Sequence, residues 1–189
     1  MLLLIALTVA VVIKSFLVQP FYIPTESMLP TIEINDRVMV SKLSYRFGEP
    51  QRGDIVVFYS PLNGEDDASL PEEIVRHILE AVGIRTASAD DLIKRVVAVG
   101  GDTVQIRDSV LYVNEEAVEE SYLLEDGVMP DFGPEEVPEN SVFVMGDNRR
   151  ISYDSRRFGA IPMEDVIGEA VLRIWPVGRF GSVDSVPSG

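Results

Sequence analysis

Seven short runs of β-branched and aromatic residues, each fenced by Gly, Pro, Asp or Asn, constrain this chain more than any other feature. They are Val38/Val40, 55–59, 95–99, Val104/Ile106, Val110/Tyr112, 142–145 and 166–175, the last ended by Pro176. Runs this short, closely spaced and lacking helical periodicity are strand signals. Arg107-Asp108-Ser109 has the polar character of a turn, and predicts a hairpin between Thr103 and Val113. A chain of 189 residues supports one core with at most a small lobe. The expected fold class is mainly β: a compact antiparallel sheet domain over 19–177, with 178–189 as a frayed tail.

Two segments depart from that pattern. Residues 1–18 are apolar apart from Thr8, Lys14 and Ser15. As a helix the stretch to Val18 would be about 27 Å long, against a hydrocarbon core of about 30 Å, and Lys14 can snorkel to an interface. The competing reading, a cleaved signal peptide, lacks a basic n-region and a small-x-small site before Phe21. The expectation is a retained membrane-anchor helix, although Lys14 and Arg37, the only basic side chains nearby, carry almost no orientation signal. Residues 62–92 are the second departure, acidic and polar with one helical stretch over 71–82. Pro71, Glu72 and Glu73 suit a helix start, Ile74, Ile78 and Val82 recur at spacing four, and Gly83 ends the pattern. This reads as a peripheral insertion between strands.

Charge narrows the partners. The formal net charge of −15 argues against nucleic acid, whose phosphates would be repelled. Much of it is local: no Lys or Arg lies between Arg107 and Arg149, where Glu115, Glu116, Glu119, Glu120, Glu125, Asp126, Asp131, Glu135, Glu136 and Glu139 accumulate. A solvated acidic face is the expected form. With no cysteine there is no disulfide, thiolate nucleophile or Cys-ligated zinc.

Three polar clusters are candidates for chemistry. They are Pro24-Thr25-Glu26-Ser27-Met28-Leu29-Pro30-Thr31, then Ile93-Lys94-Arg95 running to Gly101-Asp102, and Gly146-Asp147-Asn148-Arg149 followed by Ser152-Tyr153-Asp154-Ser155-Arg156. A serine hydroxyl needs a base within hydrogen-bond reach. An ordinary lysine, with a pKa of about 10.4, is almost wholly protonated at neutral pH, but burial lowers that value. Ile93, Val96, Val97 and Val99 offer Lys94 such a setting. The one histidine, His77, lies in the acidic insertion, and a triad built on it stays open because triads assemble from distant positions. If residues 21–27 are extended, Phe21, Ile23, Thr25 and Ser27 share a face, so apolar side chains would line a groove ending at two hydroxyls. Pro20 and Pro24 suit an edge strand open to a peptide.

Taken in order, these boxes resemble the bacterial type I signal peptidases, membrane-anchored Ser/Lys endopeptidases, over most of residues 20–176. The resemblance implies Ser27 as nucleophile, Lys94 as general base, and an oxyanion site made by the Ser27 N–H and the Thr25 hydroxyl. It implies that Ser152 orients the lysine amine. Phe21, Ile23, Met28, Ile32 and Ile93 would line shallow pockets for small substrate side chains, and Arg95, Asp147, Asp154 and Arg156 would be supporting ion-pair and turn residues. Gly100-Gly101-Asp102 stands where the family commonly has Pro-Gly-Asp, and Arg150-Ile151 fills a variable position.

The function so implied is removal of signal peptides from exported preproteins. The implied setting is a single pass through the plasma membrane, with the lipid bilayer as partner and the catalytic domain on the extracytoplasmic face. The Ser/Lys chemistry requires no metal or cofactor, and oligomeric state is not indicated. Two alternatives stand beside it. A self-cleaving repressor-type Ser/Lys protease would need an upstream DNA-binding module, for which 20 hydrophobic residues leave no room. A catalytically silent, membrane-tethered β module binding extended peptides is separable only by an activity assay.

Overall fold

The computed structural model describes residues 18–61, 91–123 and 128–183. Within them the chain forms two sheets in which every strand pairing is antiparallel. The larger is ordered β1 (Val18–Tyr22), β2 (Arg37–Ser41), β11 (Val166–Trp175), β3 (Ile55–Phe58), β4 (Leu92–Val99), β9 (Ser141–Met145) and β10 (Ile161–Pro162). A short β12 (Gly181–Ser182) is paired to β11. The smaller is ordered β7 (Glu116–Ala117), β6 (Val110–Val113), β5 (Thr103–Arg107) and β8 (Phe132–Glu136). Two one-turn helices, α1 (Ser44–Phe47) and α2 (Ser155–Phe158), fill connections. The mainly β expectation holds, and each of the seven apolar runs falls on a strand.

Burial explains the central position of β3. All four of its residues are buried. Ile55 and Val57 pack into one core with Phe21, Met28, Ile32 and Val38, while Val56 and Phe58 pack into another with Val96, Val144 and Ile161. Packing on both faces is why this strand reads as a continuous apolar run instead of an alternating one. A third core, built on Val104, Ile106, Leu111, Phe143 and Met145, joins the small sheet to the large one. The predicted hairpin is present: Arg107 pairs with Val110, and Asp108 and Ser109 between them both have positive φ, as a type I′ turn requires. The chain passes from β4 to β5 through Gly100, where a Cβ would sit 3.1 Å from the backbone of residues 138–140. A side chain there would need that backbone to give by a few tenths of an ångström.

Three expectations meet a different structure. The extended segment from Phe21 stops early, because β1 ends at Tyr22 and the chain turns back over 25–32. After Pro24, which has no N–H, Leu29 N–H bonds Glu26 O and Ile32 N–H bonds Met28 O, so local turn bonds replace the ladder. The frayed tail does not begin at 178. Arg179 pairs with Glu33 and Asp36, β12 adds to β11, and Val183 is fully buried in the first core. The acidic face also has an exception, since the Glu120 side chain is 6% exposed and ion-paired.

Residues 1–17 of the predicted anchor and 62–90 of the predicted insertion, His77 included, lie outside the described residues; Val18 and Leu92, expected to close those two segments, belong to β1 and β4 instead. No helix among the described residues is long and apolar enough to cross a membrane. Phe58 of β3 is paired to Leu92 of β4, so the insertion leaves and rejoins the fold at neighbouring points of one ladder.

Candidate active site

Ser27 sits in a turn that is clamped from several sides. Its carbonyl accepts the Asn148 N–H at 3.0 Å, and Met28 and Ile32 behind it have no exposed surface. The buried Thr31 hydroxyl donates to Asp147 Oδ2 at 2.5 Å, and the Thr31 carbonyl accepts from Arg173. Arg173 in turn lies 3.1 Å from the buried Asp36 carboxylate. Gly146 makes the approach of the two loops possible: a Cβ there would lie 2.5 Å from Ser27 O and 2.2 Å from Ser152 Oγ.

The Lys94 side chain, on β4, reaches this turn. Its Nζ is 2.8 Å from Ser27 Oγ and 2.7 Å from Ile93 O. Lys94 is 2% exposed and makes no ion pair among the described residues. Burial drives its pKa down from 10.5 to about 8, against the opposing pull of Asp154 and Asp147. That pull is blunted because each carboxylate already has a guanidinium: Asp147 is held by Arg95 at 2.9 and 2.7 Å, and Asp154 by Arg156 at 2.8 Å through both oxygens. At pH 7 a base with that pKa is neutral about a tenth of the time, some two hundred times the fraction for an ordinary lysine. A hydroxyl hydrogen-bonded to a desolvated amine is what a serine nucleophile requires.

Thr25 Oγ1 lies 3.4 Å from Ser27 Oγ, so the two hydroxyls share a side although the backbone between them is not a strand. Ser152 differs from expectation. It is buried beside Gly146, but among the described residues its hydroxyl has no hydrogen-bond partner and makes no bond to Lys94, whose amine turns to Ser27 and to Ile93 O instead. Phe21, Ile23, Met28, Ile32 and Ile93 are brought together, but as part of the core. None is more than 7% exposed, so they form a filled layer in place of open pockets.

The support residues extend further than the motifs indicate. Asp154 accepts the Gly146 N–H and caps α2 through the Arg156 N–H. Arg149 donates to Gly146 O, and its guanidinium forks onto Glu120 at 2.9 and 2.6 Å. The Arg95 guanidinium lies 4.0 Å from the centre of the Tyr122 ring. Asp102 anchors the β4–β5 turn; burial alone would raise its pKa, but bonds from Arg52, the Val99 N–H and Asn114 hold it below the usual value. Sequence reading gave no role to Thr31, Arg149, Glu120 or Tyr122. The first two stand inside the quoted boxes, where a motif hydroxyl and a motif arginine were available signals. Glu120 and Tyr122 carry none.

The family model described as "Signal peptidase, peptidase S26" matches residues 1–175. The chain belongs to that family. It is 40% identical over 186 residues to the signal peptidase I of Leptolyngbya laminosa, covering 97% of this chain and 81% of that one. It is likewise 40% identical over 215 residues to the signal peptidase I of Mycobacterium tuberculosis, with 96% and 73% covered. The chloroplastic thylakoidal processing peptidase 1 of Arabidopsis thaliana matches at 40% over 174 residues, 92% of this chain and 47% of that protein. A crystal structure of a signal peptidase I from Enterococcus faecalis aligns with 64% of this chain and 96% of its own, at 30% identity and a TM-score of 0.46.

Proposed function

We propose that this signal peptidase family member is a membrane-anchored serine endopeptidase that removes signal peptides from exported preproteins, with Ser27 as nucleophile and Lys94 as general base. The observation that carries the reading is the 2.8 Å contact between Ser27 Oγ and a buried Lys94 amine that, among the described residues, makes no ion pair. In the neutral state the amine takes the Ser27 proton as the oxygen attacks the scissile carbonyl. The ammonium then returns that proton to the leaving amine, and water, activated by the same lysine, releases the acyl-enzyme. The Thr25 hydroxyl and the Ser27 N–H face the oxygen that becomes negative during attack. These steps use protein groups and water only, and call for no metal or cofactor.

Substrate preference follows from the filled layer. With Phe21, Ile23, Met28, Ile32 and Ile93 already packed, little depth remains for substrate side chains. Small residues, alanine above all, fit at one and three residues before the cut, which share a face of an extended peptide. The apolar segment ahead of β1 serves as a single-pass anchor that holds the domain at the extracytoplasmic face of the plasma membrane.

The test is incubation of the full chain in detergent with a preprotein whose junction reads Ala-x-Ala. One cut at that junction, absent with Ser27→Ala, is expected. Binding of the preprotein without turnover would instead identify a peptide-binding module.

A further inference from the structure

The segment 118–123 follows β7 and belongs to no strand, yet it reaches both loops of the site. Tyr122 covers the flat face of the Arg95 guanidinium, whose edges are occupied by Asp147 and by the Gly53 carbonyl. The Tyr122 hydroxyl donates to Glu120 Oε1 at 2.7 Å. Glu120 accepts both arms of Arg149, whose own side chain is wholly buried. Arg149 Nε then bonds Gly146 O, its carbonyl accepts from Arg156, and the adjoining Asn148 N–H holds Ser27 O.

One short segment therefore touches the lysine strand through Arg95 and the serine turn through Arg149. Burying an ion pair as deep as that of Arg149 and Glu120 costs desolvation that its attraction only partly offsets. A surface loop has no need of such a pair for its own stability. Bidentate geometry, by contrast, fixes distance and angle more tightly than apolar packing does.

We infer that Glu120 and Tyr122 form a positioning clamp, set on the small sheet, that holds the Lys94 strand and the Ser27 turn in register for catalysis. This rests on the dyad proposed above. Neither residue touches the reacting atoms; each acts through an arginine. Without the ring over it, Arg95 shifts and hydrates, and its grip on Asp147 loosens. The groups bearing on Lys94 are Asp147 with its partner Arg95, Asp154 with its partner Arg156, the Ser27 hydroxyl and the Ile93 carbonyl. Freeing Asp147 and admitting water both favour the ammonium, so the Lys94 pKa rises and the acid limb of the rate profile moves to higher pH.

The experiment measures kcat, KM and the pH profile on a quenched peptide with alanine one and three residues before the bond, using the full chain in detergent. Tyr122→Leu is expected to lower kcat about tenfold or more, since small misplacements of reacting groups are costly, while KM stays within about twofold. Its acid limb shifts upward by about half a unit or more. Tyr122→Phe keeps the ring over Arg95 and retains most of the activity. Glu120→Gln, which keeps the shape but weakens the fork, falls between the two. Each variant is first checked for cooperative melting, and the Phe and Gln variants keep the test open if the Leu variant does not fold. A folded Tyr122→Leu enzyme with unchanged kcat and pH profile overturns the clamp, as does an equal loss in Tyr122→Phe and Tyr122→Leu. Residual cleavage by Ser27→Ala would instead overturn the dyad, whatever Tyr122 does.

Discussion

Lys94 and Arg95 are neighbours on β4, both buried, yet they occupy opposite electrostatic regions. Around Arg95 every donor direction is answered: a forked carboxylate, the Gly53 carbonyl, the Thr31 hydroxyl at 3.4 Å and an aromatic face. Among the described residues Lys94 bonds one hydroxyl and one carbonyl, and the two carboxylates that bear on it, Asp147 and Asp154, are each already taken by an arginine. The difference is direct pairing with a carboxylate, since depth is nearly the same. A buried cation with a matched anion remains charged and acts as scaffold, while one without becomes a weak acid at neutral pH and can exchange a proton. Arginine suits the first task because it does not deprotonate, and lysine the second.

The comparison breaks most sharply if the two roles are removed in turn. Lys94→Ala and Ser27→Ala are each expected to lower kcat by about 10⁴ or more, with the double variant no worse than either, because residues acting as a unit are non-additive. Lys94→Arg should fail equally, since a guanidinium cannot accept the proton. Activity in Lys94→Ala that disappears with His77 would restore a triad. Asp147→Asn attacks the other region. It leaves Arg95 buried with its charge unmatched and should destabilise the fold by about 3–5 kcal/mol, read as a lowered midpoint in denaturant titration. A loss under about 1 kcal/mol would mean that Arg95 has another anion to turn to.

How far this division was legible beforehand differs between the two regions. Ser27, Lys94 and Thr25 were named from motif boxes, and the structure brings all three together. The strand pattern was legible because runs such as 55–58 and 142–145 are buried on both faces or against a close neighbour, which leaves a continuous apolar signature. The strands without that signature are interrupted or short. β8 carries Gly133 and Pro134, and β12 has two residues. Glu120 was read as part of a solvated acidic face because charge density carries no information on which carboxylate meets a buried arginine 29 residues away. At Ser27 a turn competes with an extended segment for a related reason. An extended reading satisfies alternation over 21–27, but the hydrogen bonds that fold the segment back are local to 26–32 and leave no apolar period.

Two smaller effects sharpen the account of Lys94 itself. Thr25→Val keeps the shape and removes the donor, and should lower kcat by about 10²–10³ with little change in KM, while Thr25→Ser keeps most of the activity. Wild-type rates in Thr25→Val would mean that the hydroxyl serves only the turn. The charge effect on stability has a definite sign. With the folded pKa near 8 and an unfolded value near 10.5, the unfolded chain binds more protons between those limits, so stability rises with pH across that window. Below pH 8 the full cost of burying the amine is present, on the order of 3 kcal/mol. Lys94→Met should therefore be more stable than the parent at pH 6 to 7 by up to that order, with the gap shrinking as pH rises from about 8 to 10.5. A gap that stays constant over this range would show that packing, and not charge, sets it.

The most direct measurement is the titration of Lys94 in the intact chain, followed by the Cε and Nζ shifts of isotopically labelled lysine with Lys94→Arg as assignment control. The account predicts a midpoint near 8 that coincides with the acid limb of kcat/KM for peptide cleavage. A midpoint in the ordinary lysine range, about 10.4, with an acid limb elsewhere, would contradict Lys94 as the base.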